Sequence, residues 1–177
     1  GWGGIITLDI GLLIEFNESW EPARFVIIGV LKINVPTPEA AIISINAAIA
    51  GVFDSDGVRI AGSLFDSRIA FFNISGDMYL LARGGSDAVF LFTIGGFHPA
   101  FQPPADVPPL RRLTIGMSVG DVFRYTVEYY FAITSNTLQF GAKAELFVGV
   151  DAAARSTRIN KNVPRAIRPA GLVAAFR

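Results

Sequence analysis

FRYTVEYYFAITSNTLQFGAKAELFV, residues Phe123–Val148, alternates apolar and polar side chains in two runs joined by Ser135-Asn136. Phe123, Tyr125, Val127, Tyr129, Phe131 and Ile133 share one face of the first run; Arg124, Thr126, Glu128 and Thr134 share the other. In the second run Leu138, Phe140, Ala142, Ala144, Leu146 and Val148 stand opposite Gln139, Lys143 and Glu145. Successive β side chains point to opposite faces, so a period of two on both sides of a polar dipeptide specifies an antiparallel hairpin. The apolar set of each run is expected to face inward.

The same period extends through the chain. Ile6, Leu8, Ile10, Leu12, Ile14 and Phe16 alternate with Thr7, Asp9, Gly11 and Glu15. After the polar loop Asn17–Pro22, a second strand is expected over Phe25–Val35, stopped by Pro36 and Pro38, which offer no ladder donor. Ile43 to Phe53 alternates again and ends in the turn Asp54-Ser-Asp-Gly57. Short strands are expected over Val58–Phe65 and Ile69–Ile74 around a turn at Asp66-Ser67, then over Asp77–Arg83 and Val89–Ile94. No segment before residue 150 shows a helical period. The expected fold is all-β with no substantial helix: a long antiparallel meander in a strongly curved or folded-over sheet, like an open barrel or sandwich. A sheet with one apolar face and no helix to cover it must fold over, close, or bind something.

Composition agrees with that demand. Of 177 residues 51% are hydrophobic and only 17% charged, where about a quarter charged is usual for a soluble domain. No run approaches the ~18 apolar residues of a membrane-spanning helix. Fifteen acidic residues balance fifteen basic ones, so the basic excess that grips nucleic acid is missing and no nucleic-acid partner is expected. The absence of cysteine and the single histidine remove disulfides, thiolate chemistry and multi-histidine metal sites; no metal or cofactor is expected. The chain opens on Gly1 and reads as a fragment of a longer protein, with a β-rich module over 1–150. Residues 151–177 form a basic tail carrying Arg155, Arg158, Lys161, Arg165, Arg168 and Arg177 without an acidic residue from Ala152 onward. They show neither alternation nor heptad and read as irregular, in the sharper reading as non-native sequence.

The stretch VFLFTIGGFHPAFQPPADVPPLRRL, Val89–Leu113, joins a strand to a proline-rich loop, and the loop Phe97–Leu110 is expected to cap one end of the sheet. The candidate residues of the stretch are Gly95, Gly96, Phe97, His98, Pro99, Arg111 and Arg112. His98 could be a general base, but no serine or carboxylate adjoins it in sequence, and a corner histidine bonded to backbone is the commoner case. Gly95-Gly96 lacks the Lys-Ser/Thr ending of a phosphate loop and reads as a sharp corner. Arg111-Arg112 could take an anionic group, or tack the proline loop to a carboxylate. Asp54-Ser-Asp56-Gly resembles the start of a calcium loop without its closing glutamate. Phe123, Tyr125, Tyr129, Phe131 and Phe140 are the candidate lining of an apolar ligand site, or core.

Three blocks, LFDSRIAFFNISGDMYLLAR, FTIGGFHPAFQPPADVPPLRRLTI and YYFAITSNTLQFGAKAELFV, resemble a bacterial domain of unknown function found in very long, repetitive, β-rich proteins. GGFHPAFQPP and FAITSNTLQFGA are the most specific parts, and the resemblance spans roughly residues 1–150. It implies a module of a larger protein and carries no activity. The leading expectation is therefore a non-enzymatic structural or interaction module, partnered by flanking β segments of the same parent or by another protein. The alternative is a groove binding or transferring lipid or acyl chains. A segment of an outer-membrane-type barrel ranks third. Nothing in the chain points to a cellular compartment.

Overall fold

The computed structural model describes residues 4–149 and the backbone of 172–175. The strands are β1 (Ile5–Phe16), β2 (Pro22–Val35), β3 (Ile43–Asp54), β4 (Gly57–Ile69), β5 (Phe72–Arg83), β6 (Val89–Ile94), β7 (Leu113–Val119), β8 (Phe123–Thr134), β9 (Thr137–Val148) and β10 (Leu172–Ala175). No helix occurs among the described residues. All pairings are antiparallel, in the order β1-β2-β3-β4-β5-β6-β8-β9-β10, with β7 between β5 and β8. The all-β meander expected from period two is the observed fold, a curved sheet whose register shifts at Glu15/Phe16, Ser44/Asn46 and Leu64/Ser67 add local bend and twist. The ladder is open: among the described residues β1 pairs with β2 alone.

Two local expectations need correction. Asp66-Ser67 is not a turn but a bulge inside one long β4, with Asp66 at φ 44°. The Ser67 hydroxyl accepts from the Asn46 amide at 2.9 Å and lies 3.1 Å from the Asn46 carbonyl, which holds the chain in the ladder until Ile69. The turn comes at Ala70-Phe71 instead. In the tail, Leu172–Ala175 pairs with β9, Leu172 opposite Phe140, where the outer edge of β9 offers unpaired backbone groups. Residues 151–171 and 176–177 of that tail lie outside the described residues.

β6 and β7 both run antiparallel to β5 and to β8. They therefore occupy a single strand position, interrupted between Ile94 and Leu113. Met78 pairs with Ile94 and Ser75 with Thr114, while on the other side Phe131 pairs with Ile94 and Tyr129 with Leu113. The proline-rich segment leaves the sheet in mid-strand and returns to the same line. It therefore lies over the middle of the sheet, not at its end: Val107, Phe97 and Leu110 pack on Tyr79, Leu81 and Leu91, with Ala61 and Val89. This is the core of the molecule.

Following the register from strand to strand separates two faces. One carries the even positions of β1, the odd of β2 and β3, the even of β4 up to Leu64, of β5 and β6, the odd of β7 and β8, and the even of β9. Every residue there is Gly, Ala, Val, Leu, Ile, Met or Phe, apart from Tyr125 and Tyr129. The other face holds all the charged strand residues outside the β4 bulge, and a chain of ion pairs crosses it: Glu15–Arg24 (3.1 Å), Arg24–Asp54 (3.4 Å), Asp54–Arg59 (3.0 Å). Burial by itself would raise the Asp54 carboxyl; Arg59, the Asp56 amide and Arg24 outweigh it and hold it below the ordinary value.

The proline-rich segment covers the charged face, and this reverses the expectation for the hairpin. Gln139 is 1% exposed and Ala132 fully buried, whereas Phe140 is 48% exposed and Phe131 and Ile133 are also open. The alternation holds, and the reversal is local to the loop: Ala132 and Gln139 are buried beneath it, while farther along the hairpin Val127 of the apolar set is buried and Lys143 and Glu145 stay exposed.

Candidate functional site

The interruption between β6 and β7 has a structured face on each side of the sheet. The exit is made by Gly95 (φ 73°) and Gly96 (φ 79°), a backbone region that disfavours any Cβ. At Gly95 a Cβ would also lie 2.3 Å from the Tyr129 carbonyl, so the sequence reading of a sharp corner matches the geometry. Thr93, buried below, directs its hydroxyl between the Gly96 carbonyl (2.5 Å) and the Phe131 carbonyl (3.0 Å). The Gly95 amide donates to the Asp77 carbonyl at 2.7 Å.

Re-entry is fastened electrostatically. Asp77 accepts from the Arg111 amide at 2.8 Å, from Arg111 Nη2 at 2.8 Å and Nε at 3.1 Å, and from the Ser63 hydroxyl at 2.8 Å. Burial would raise the Asp77 carboxyl, but the hydrogen bonds from Arg111 and Ser63 outweigh it and hold it below the usual carboxylate range. The Asp77 hydrogen bond in turn raises Arg111. Arg112 donates to the Gly95 carbonyl at 2.9 Å and lies over the Tyr130 ring, 4.3 Å from its centre. The two arginines thus tie exit and re-entry together.

His98 sits in the same layer. Its amide donates to Gln139 Oε1 at 3.0 Å, its Nδ1 accepts the Ala100 amide at 3.1 Å, and its ring meets Tyr130 edge-on. Phe97 stacks at a tilt on Phe101, and Pro99 is exposed. Sequence reasoning did not single out Ser63, Thr93, Gln139 or Tyr130, and did not name Asp77 as the partner of Arg111. Each stands on the charged face beside the interruption, and only the register shows that. Among the described residues no group of three His, Cys, Asp or Glu side chains could hold a metal ion; Asp54, the first position of the calcium-like turn, is paired with arginines and accepts the Asp56 amide at 3.0 Å.

On the uncharged face, directly behind the interruption, lies a hollow of ≈ 590 Å³ lined by Ile94, Leu113, Tyr129, Phe131, Phe140 and Ala142, with Tyr130 and Gly141 at its floor. Of the five aromatic candidates, Tyr129, Phe131 and Phe140 line it; Phe123 and Tyr125 stand on the same face nearer the other end of β8. The loop residues and the aromatic set are therefore back to back, on opposite sides of the same strands.

The profile of a family of unknown function, DUF6603, matches residues 1–159. The chain belongs to that family. The match spans β1 to β9 of this DUF6603 chain and so takes in the interruption, its loop and both faces. No curated protein matches this DUF6603 chain, and no solved structure does.

Proposed function

We propose that this DUF6603 chain is a non-enzymatic β-module that supplies one layer of a larger β-rich assembly, its uncharged face covered by flanking β segments of the parent protein or by a protein partner. The observation that carries the reading is the asymmetry of the sheet. The middle of the charged face has its own cover in the proline-rich segment, while the other face is apolar across every strand from β1 to β9 and has no segment of the described residues laid over it. Apolar surface on that scale drives association. The outer edge of β1, twelve residues long, offers a row of unpaired backbone groups to a neighbouring strand. The resemblance to modules of very long, repetitive proteins supports the same reading. Against catalysis stand the engaged groups: His98 Nδ1 takes a backbone amide, and the carboxylates of Asp54 and Asp77 are paired with arginines.

A second reading, binding of acyl chains or another apolar ligand, is favoured by the hollow behind the interruption, whose lining is almost wholly apolar. The barrel reading draws no support from the open ladder, since a membrane-spanning sheet must close to satisfy its edges. The test is to purify the full chain without detergent, measure its mass by light scattering, and extract the peak for lipid mass spectrometry. A lipid-free species is expected. Acyl chains recovered in stoichiometric amount would replace the leading reading with the second.

A further inference from the structure

We propose that two copies of this chain pack uncharged face against uncharged face to form a closed two-layer sandwich; the proposal rests on the reading that a protein layer covers that face. Area is the first argument. From β1 to β9 the strands β1, β2, β3, β4, β5, β6, β8 and β9 lie side by side, with β7 in line with β6. At ~4.8 Å between strands and ~3.3 Å per residue, the face measures about 38 Å by about 40 Å, or about 1,500 Å². Sheets of the same twist pack aligned with their strands ~30° apart, so the corners of the two faces splay and about half of each, ~750 Å² per copy, meets at once. A stable interface takes about 800 Å² per partner, so the face is of the size that holds a dimer.

Self-complementarity is the second argument. Across a two-fold axis a patch meets its own image, and any charge near the axis faces a like charge. Outside the β4 bulge the described strands place none on this face, because their charges lie on the opposite side. Aligned sheets interdigitate such inner faces ~10 Å apart. The third argument is closure. The proline-rich segment covers the middle of the charged face, so face-to-face packing stops at two copies, whereas pairing along the β1 edge would leave the apolar face open.

Analytical ultracentrifugation of the full chain over a concentration series tests this, with three variants. Ile10→Lys and Phe140→Lys place a charge on opposite wings of the uncharged face; Ile28→Lys places one on the other face. The three native side chains are 60%, 48% and 62% exposed in the single chain, so each substitution spares the fold, and a circular dichroism spectrum with unchanged β signal verifies it. The expected wild-type species has twice the 19.0 kDa chain mass. Ile10→Lys and Phe140→Lys are expected to weaken the dimer about tenfold or more, since an unpaired ammonium would be buried, and Ile28→Lys to leave it unchanged. A dimer weakened equally by all three, or by none, lies on another surface and overturns the proposal. A lipid-free monomer also overturns it but leaves the module reading standing. A monomer carrying acyl chains overturns both.

Discussion

Replacing Asp77 with Asn removes the charge that fastens the proline-rich segment to the sheet while keeping the side-chain shape. Asp77 accepts the Arg111 amide, the Arg111 guanidinium and the Ser63 hydroxyl. Hydrogen bonds to a charged group contribute about 1.5–3 kcal/mol each when buried. The Arg111 side chain is 58% exposed against 14% for Asp77, so solvent screening reduces the ion pair to ~0–1 kcal/mol. Asn still accepts through its Oδ1 and turns an NH₂ toward one former donor, so the expected loss is about 2 kcal/mol at neutral pH. The pH dependence has a definite sign. The Asp77 carboxyl lies below its ordinary value in the folded chain, so its contribution is complete above the unfolded pKa of about 3.9 and is lost as pH falls through the folded value. Urea unfolding of wild type and Asp77→Asn at a series of pH values measures the gap between them. Subtraction removes the similar contribution of Asp54, whose carboxyl is also lowered. The gap should be about 2 kcal/mol at pH 7 and shrink below about pH 4. A gap under about 0.5 kcal/mol at pH 7, or one that does not change on acidification, would refute the assignment of Asp77 as the fastening charge.

Three further outcomes follow from the same geometry. Leu91→Ala, beneath the loop at 1% exposure, should cost about 2–4 kcal/mol in urea unfolding, the range for a truncated core leucine. Gly95→Ala should cost at least about 3 kcal/mol, since it combines a positive φ with a Cβ against the Tyr129 carbonyl, while Gly84→Ala, with nothing within 4 Å, should be close to neutral by thermal melting. Gln139→Leu should cost about 1–2 kcal/mol, because the His98 amide loses its acceptor beneath the loop; amide hydrogen exchange at His98 should rise in the same variant.

Much of this molecule was legible from residue order, because its signals are local. Period two marked the strands, Pro36 and Pro38 ended β2 after Val35, Gly57 closed the turn into β4, and Ser135-Asn136 joined β8 to β9. The errors came where a distant group overrode local chemistry. Asp66-Ser67 has turn composition, but Asn46 on the neighbouring strand holds Ser67 in the ladder. The reading of Arg111 as tacking the loop to a carboxylate left that carboxylate unnamed, because Asp77, which accepts its hydrogen bonds, is thirty-four residues away.

Alternation by itself determined which side chains share a face, and the purity of the apolar set could be read without a structure. Alternation is symmetric between the two sides, so it could not say which face is covered. That was decided by tertiary structure alone: the chain leaves β6 at Gly95, crosses the charged face, and is fastened there by Asp77 and Tyr130 before resuming as β7. Gln139 is buried and Phe140 left open for that reason, against every expectation from hydrophobicity, because burial depends on which way a long loop returns and a period of two carries no information about that.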